Sequence, residues 1–145
     1  MRKIKLGKKE VYAIVDDCDF ERISAFKWWY TKGKNKYYAI RDRNKLITMA
    51  NEVMMITGEI DHIDGNSLNN QRVNLRKCSH SDNMKNRTCR SKSGYYGVRK
   101  HRNKWVTNFN GKYIGLFNSP ENAAKAYNEM VIKSRNQFYN LNNIP

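Results

Sequence analysis

Acidic residues are scarce in this chain. Its 145 residues include 13 Asp or Glu against 28 Lys or Arg, giving a formal net charge of +15 and a pI near 9.9. A merely soluble basic protein is the bland reading, but such an imbalance makes a phosphate-rich partner the first expectation. Cysteine is also sparse. Cys18, Cys78 and Cys89 are isolated, odd in number and without a Cys-x-x-Cys spacing. They exclude a disulfide framework and a structural zinc knuckle, and they fit a reducing interior. No apolar run approaches the length of a membrane span, and Met1 to Lys9 is polar and basic where a secretory segment would be apolar. The expectation is a cytoplasmic protein with no membrane partner. At this length it holds one ordinary domain or two very small ones with thin cores.

What charge there is falls unevenly. Met84 to Pro145 holds 12 Lys or Arg and only Glu121 and Glu129, whereas Met1 to Asn83 holds 16 basic and 11 acidic residues. From Lys85 to Lys112 there are nine basic residues and no acid, with Tyr95, Tyr96 and Trp105 interleaved and Tyr113 directly after. A basic run alone is usually a solvated face; basic residues alternating with stackable rings favour nucleic acid.

Local patterning predicts an α+β chain. Glu10 to Val15, Trp28 to Lys32 and Lys36 to Ile40 read as strands, the last two joined by a Gly33-Lys34-Asn35 turn, with a short helix from Asp17 to about Phe26 docked on them. Trp28 and Trp29 read as packing residues. A short helix over Met49 to Met55 carries methionines of the kind that fill cores. Next come a strand ending at Asp61-His62, a turn at Asp64-Gly65-Asn66, a second strand from Asn74 to Cys78, and a helix opening near Ser79 or Ser81. Ser91 to Gly94 reads as a linker. Three short strands follow, Tyr96 to His101, Trp105 to Asn110 and Lys112 to Phe117, the last two joined by an Asn110-Gly111 hairpin signal. Ser119-Pro120-Glu121 then opens a helix to about Lys133, whose small-residue face lets it lie close on the sheet.

The chemistry concentrates at Asp61-His62, with Asn74 and Asn83 downstream. Phosphodiester hydrolysis needs an activated water, charge neutralisation and help for the leaving oxygen, which one hard cation and a neutral imidazole can supply. Asp61 and Asn83 offer hard oxygen donors, and His62 is the natural base, its ordinary pKa of about 6.5 leaving it largely neutral in a cell. Singly, an Asp-His pair or an Asn is weak evidence. Together, DHIDGNSLNNQRVNLRKCSHSDN, within roughly Ile47 to Arg87, resembles the HNH nuclease motif of phage and intron-encoded homing endonucleases. The resemblance implies a β-β-α-metal fold, His62 as general base, Asp61 and Asn83 as ligands of one Mg2+ or Mn2+ per site, and Asn74 as the central Asn that orients the loop. Two features depart from it. The final position is Asn83 rather than His, and Ala50-Asn51 stands where many relatives carry His-Arg, which puts an upstream phosphate contact in question. His80 either faces the same site or faces solvent, and Arg76 and Lys77 are expected to hold phosphate.

The segment from Ser93 to Asn142 is similar to the plant APETALA and ethylene-response-factor DNA-binding domain, carried by Gly94-Tyr95-Tyr96-Gly97-Val98-Arg99, Lys104-Trp105, Gly111 to Phe117 and Ala123 to Tyr127. That family lays a three-stranded sheet in the major groove. Alignment with period-2 alternation assigns Tyr96, Arg99, His101, Asn108, Asn110 and Tyr113 to the DNA face and Trp105, Phe109, Ile114 and Phe117 to the core. Lys85, Arg87 and Arg90 add backbone contacts.

The expected plan is an N-terminal α+β subdomain (1–46), a β-β-α-metal HNH core (47–87), a basic linker (88–93), and a three-stranded antiparallel sheet packed on one helix (94–142). The expected activity is metal-dependent, site-specific cleavage of double-stranded DNA by a phage- or intron-encoded monomer or weak dimer. The competing expectations are a DNA-binding regulator that has lost cleavage and a low-specificity packaging or repair nuclease.

Overall fold

A computed structural model of the chain describes residues 1–33, 36–42 and 44–145; the expected turn at Gly33-Lys34-Asn35 lies partly outside them. The chain divides into two compact units, Met1–Asn83 and Met84–Pro145. The class is α+β.

The first unit opens with a hairpin that the sequence did not advertise. Strand β1 (Arg2–Lys5) pairs antiparallel with β2 (Tyr12–Val15). Three of the four β1 residues are cationic and exposed, and only Ile4 turns inward. Helix α1 (Asp17–Ser24) follows, then β3 (Trp29–Lys32), β4 (Tyr37–Asp42) and β5 (Ile47–Thr48) in one antiparallel sheet. Trp28 is buried and donates its ring N–H to the Ile23 carbonyl at 2.7 Å, as a packing residue should. Trp29 instead lies on the surface. Helix α2 (Met49–Met54) is capped by Thr48, whose side chain accepts from the Asn51 N–H. Its Met49 and Val53 enter the core, while Met55, expected to fill it, is exposed.

Strands β6 (Ile60–His62) and β7 (Leu75–Lys77) form an antiparallel hairpin, with a 3-10 turn at Arg72–Asn74 ahead of β7. Helix α3 (His80–Asn83) follows, its first turn closed by the Ser79 hydroxyl, which accepts from the Asp82 N–H at 3.2 Å. One apolar cluster joins Ile4, Val15, Ile23 and Trp28 of the N-terminal elements to Met49, Val53 and Leu75, so the hairpin that carries Asp61 and His62 shares its core with them.

In the second unit β8 (Val98–His101), β9 (Lys104–Phe109) and β10 (Lys112–Phe117) form an antiparallel sheet in the order β10-β9-β8, covered on one face by α4 (Pro120–Ser134). Ser119 caps α4 and Pro120 occupies its first turn. The β9–β10 turn places Asn110 and Gly111 at φ of 50° and 78°, the pair of left-handed residues that a two-residue hairpin of this hand requires. Small residues let the helix approach: Val98, Ala123 and Ala124 pack with Trp105 and Phe117, and Phe109, Tyr127 and Val131 with Ile114. Gly97 stands at φ +70°, and a β-carbon there would run into the Tyr127 ring and the Asn108 carbonyl. No helix among the described residues is long and apolar enough to cross a membrane.

Candidate active site and nucleic-acid interface

The loop between β6 and β7 is braced by hydrogen bonds among its own polar groups. Asn74, buried at its far end, accepts the Asp64 N–H on Oδ1 at 2.9 Å and donates through Nδ2 to Asp64 Oδ1 at 2.9 Å and to the Asn69 carbonyl at 2.8 Å. These bonds run across the loop from its far end to its start. Asp64 also accepts from the Asn66 N–H and the Asn69 amide; burial opposes its ionisation, but these donors outweigh burial and hold its carboxyl below the usual range.

The N-terminal elements grip the same loop from outside. Ile14 on β2 exchanges backbone hydrogen bonds with Leu68 and Asn70 at 2.8 and 2.7 Å. Asp16 accepts from the Gln71 side chain and the Arg72 N–H, and the buried Asp19 takes two bonds from the Arg72 guanidinium, at 2.7 and 2.8 Å. Paired chiefly with Arg72 and also with Arg22, Asp19 has a carboxyl held below its ordinary pKa despite burial.

Asn70 is thereby fixed against His62. Its Oδ1 lies 3.2 Å from His62 Nε2, and both residues are buried. A carbonyl oxygen only accepts, so in this arrangement the ring proton sits on Nε2 and Nδ1 is the basic nitrogen. Burial pushes the His62 pKa below its ordinary value, against the opposing pull of Asn70 and of the Asp64 and Asp61 charges. That direction favours the neutral imidazole. A cleft of about 210 Å3 opens at this point, lined by His62, Asn70, Glu59 and Asn83 among others. The buried Nδ2 of Asn70 meets no described acceptor.

Asn83 reaches the cleft from α3 and donates to Glu59 Oε2 at 3.1 Å; His80 lies 2.9 Å from Glu59 Oε1 and is exposed. These two contacts, that of Asn83 first, lower the Glu59 pKa. Glu59 was not singled out from the sequence, because an acid just before a short strand carries no signal of its own. Asp61 is placed differently from Asn83. It sits opposite Arg76 in the β6–β7 register, buried, and its Oδ2 accepts from Arg76 Nε at 2.8 Å and Nη2 at 2.6 Å. Arg76, expected to hold phosphate, is thus engaged by a carboxylate. No group of three or more His, Cys, Asp or Glu that could hold a metal occurs among the described residues. The oxygen donors of this region are the Glu59 carboxylate and the Asn83 carboxamide, which line the cleft, and the Asp61 carboxylate, which Arg76 holds. This hard-oxygen set suits Mg2+ or Mn2+ in kind, with solvent and substrate oxygens completing the shell.

At the upstream positions Ala50 is buried, and Asn51 serves as a brace whose amide donates to the Ile56 and Gly58 carbonyls at 3.1 and 2.9 Å. Neither supplies a cation.

Residues 57–85 match the family model of the HNH endonucleases. The matched stretch contains β6, the braced loop, β7 and α3, and with them Asp61, His62, Asn74 and Asn83. It supports a nuclease, and an HNH nuclease acts on DNA. Neither a curated protein nor a solved structure matches the chain.

In the second unit the face of the sheet away from α4 follows from register. Thr107 donates to the Ala123 carbonyl and Phe109 packs on Tyr127, so the alternate positions point the other way. Those are Asn108 with its partner Tyr113, Arg99 opposite Val106, and His101 opposite Lys104. Arg99, His101, Asn108 and Tyr113 therefore share one face, and Tyr113 is 65% exposed on it. Asn108 Oδ1 is buried there without a described donor. Tyr96 is placed elsewhere. It stacks on Tyr127 with centroids 6.5 Å apart, and Asn142 accepts its backbone N–H at 2.6 Å, which sets it on the helix side. Asn110 lies in the turn rather than on the face. Lys77, Arg87 and Arg90 are exposed, and Lys85 lies over the Tyr139 ring.

Proposed function

We propose that the chain is a metal-dependent, site-specific DNA endonuclease of the homing type, phage- or intron-encoded and acting in the cytoplasm of its host. The observation that carries the reading is His62, buried, its pKa lowered by that burial and its ring bonded to Asn70, in a cleft that Asn83 also lines, inside the stretch matching HNH endonucleases. His62 takes the proton from the attacking water. Asp61 and Asn83 hold one Mg2+ or Mn2+, which when bound supplies Lewis-acid stabilisation of the phosphate. Asn74 keeps the loop in register. In the second unit the face bearing Arg99, His101, Asn108 and Tyr113 reads the duplex, as the likeness to the plant DNA-binding domain suggests, and basic residues from Lys85 onward hold its backbone.

One observation favours a second reading. Asp61 is already paired with Arg76, so a chain that binds DNA without cleaving it fits the same structure. Supercoiled plasmid separates the two. The endonuclease converts it to nicked or linear form with Mg2+ or Mn2+ and stops when the ion is chelated, whereas the regulator retards plasmid migration and leaves every strand intact under both conditions.

A further inference from the structure

Beside the His62 cleft lies a larger hollow of about 840 Å3, and the two share Asn51 and Gly58 in their walls. Arg41, Lys45 and Lys77 line the larger one; the carboxylate there, Glu52, is paired with Arg41 at 2.9 Å, so the hollow is electropositive. Two large apolar side chains stand in it exposed, Leu46 at 61% and Met55 at 70%. Both sit on left-handed backbone, with φ of 48° and 54°. Met55 ends α2, its N–H returning to the Asn51 and Glu52 carbonyls, at the position where a helix most readily takes glycine. Folding alone favours glycine at each site, and neither side chain gains burial in exchange.

Cations around exposed apolar side chains fit one class of partner particularly well. Proteins that enter the minor groove set Lys and Arg on the phosphates and press Leu, Ile, Met or Phe between base steps, unstacking them and kinking the duplex. An acidic protein surface would suit the lysines and leave Leu46 and Met55 unexplained. We propose that this groove receives the duplex on one side of the scissile bond, with Lys45 and Lys77 on its phosphates and Leu46 and Met55 wedged into the minor groove. The inference rests on the DNA reading given above. It gives the wedge a purpose: unstacking next to the cleft turns a backbone phosphate out of its regular path and towards His62. It also places a cationic contact upstream of the motif in Lys45, where Ala50-Asn51 provides none.

Leu46→Gly with Met55→Gly tests the wedge, because glycine relieves the backbone while deleting both side chains. The probe is a short mixed-sequence duplex carrying 2-aminopurine at several positions, with full-length protein and His62→Ala in every variant so that the DNA stays whole. Saturating parent protein should raise 2-aminopurine fluorescence. At protein concentrations that saturate the duplex, the glycine pair should largely abolish that rise while the melting temperature does not fall. Lys45→Ala with Lys77→Ala should weaken binding and lower the salt slope by about 2. The inference is overturned if the parent saturates the duplex with no rise, or if the glycine pair leaves the rise unchanged. Failure of the parent to bind the duplex at all would overturn the DNA reading, and this inference with it.

Discussion

Asn70 Oδ1 lies 3.2 Å from Nε2 of His62, and the two side chains are buried together in the first unit. A hydrogen bond that selects one ring nitrogen as donor also selects the other as base, so on the proposed function Asn70 is a positioning residue that acts through His62. Asn70→Ala should therefore lower cleavage by about 10- to 100-fold with little change in DNA affinity, as loss of an orienting partner does elsewhere. Nitrogen-15 shifts of the His62 ring should report the Nε2–H tautomer in the parent and a mixture in the variant. A ring signal that the substitution does not alter would remove Asn70 from this role.

The pH dependence follows from the sign of the His62 shift. Burial disfavours the imidazolium, so the folded pKa lies below the ordinary value of about 6.5. If His62 is the base, the acid limb of the cleavage profile should break below that value. Stability carries the same sign. The unfolded chain takes up the proton first, so His62 withdraws stability as pH falls from its unfolded pKa towards its folded one. A break in cleavage at or above about 6.5 would contradict the assignment of His62 as a buried, neutral base.

Arg76 and Asp61 form a buried ion pair, 14% and 5% exposed at their side chains. Removing one partner of such a pair leaves a charge without compensation, which costs about 3–5 kcal/mol. Arg76→Met should show that loss in urea unfolding without added metal. Adding Mg2+ or Mn2+ should restore part of it if Asp61 is a ligand, because a cation bound to the folded state alone stabilises by mass action. An unfolding curve for the variant that is indifferent to the ion would argue against Asp61 holding it.

Gly97 is a packing constraint on the second unit. With φ at +70° and the Tyr127 ring and Asn108 carbonyl already in the space of a β-carbon, Gly97→Ala should destabilise by about 1–3 kcal/mol or more. Thermal unfolding measures this, and an unchanged midpoint would mean that α4 can shift away from β8 at little cost.

Much of this was legible in the residues. Turn and cap signals at Asn110-Gly111 and Ser119-Pro120 placed β9, β10 and α4 to within a residue or two, and Asp61-His62 to Asn83 outlined the hairpin and helix of the site. What escaped had physical reasons. β1 shows three exposed cations around one buried Ile4, too little apolar alternation to read as a strand. Tyr96 was carried to the DNA face by alignment with the plant domain; counting by twos from Arg99 and His101 puts position 96 with Val98 on the opposite face, the helix side on which it lies. Asn70 looked like one more loop amide in a run of them; only its pairing with Ile14, 56 positions earlier, fixes it against His62. The Arg76–Asp61 pair needed the β6–β7 register, which spacing alone does not give.

The central claim is that His62 is the base of a phosphodiester hydrolysis, and single-turnover cleavage of DNA by His62→Ala at saturating Mg2+ tests it most directly. The account predicts a fall in rate of about 100- to 10,000-fold with melting temperature and DNA affinity retained. A variant that cuts within about threefold of the parent would contradict it.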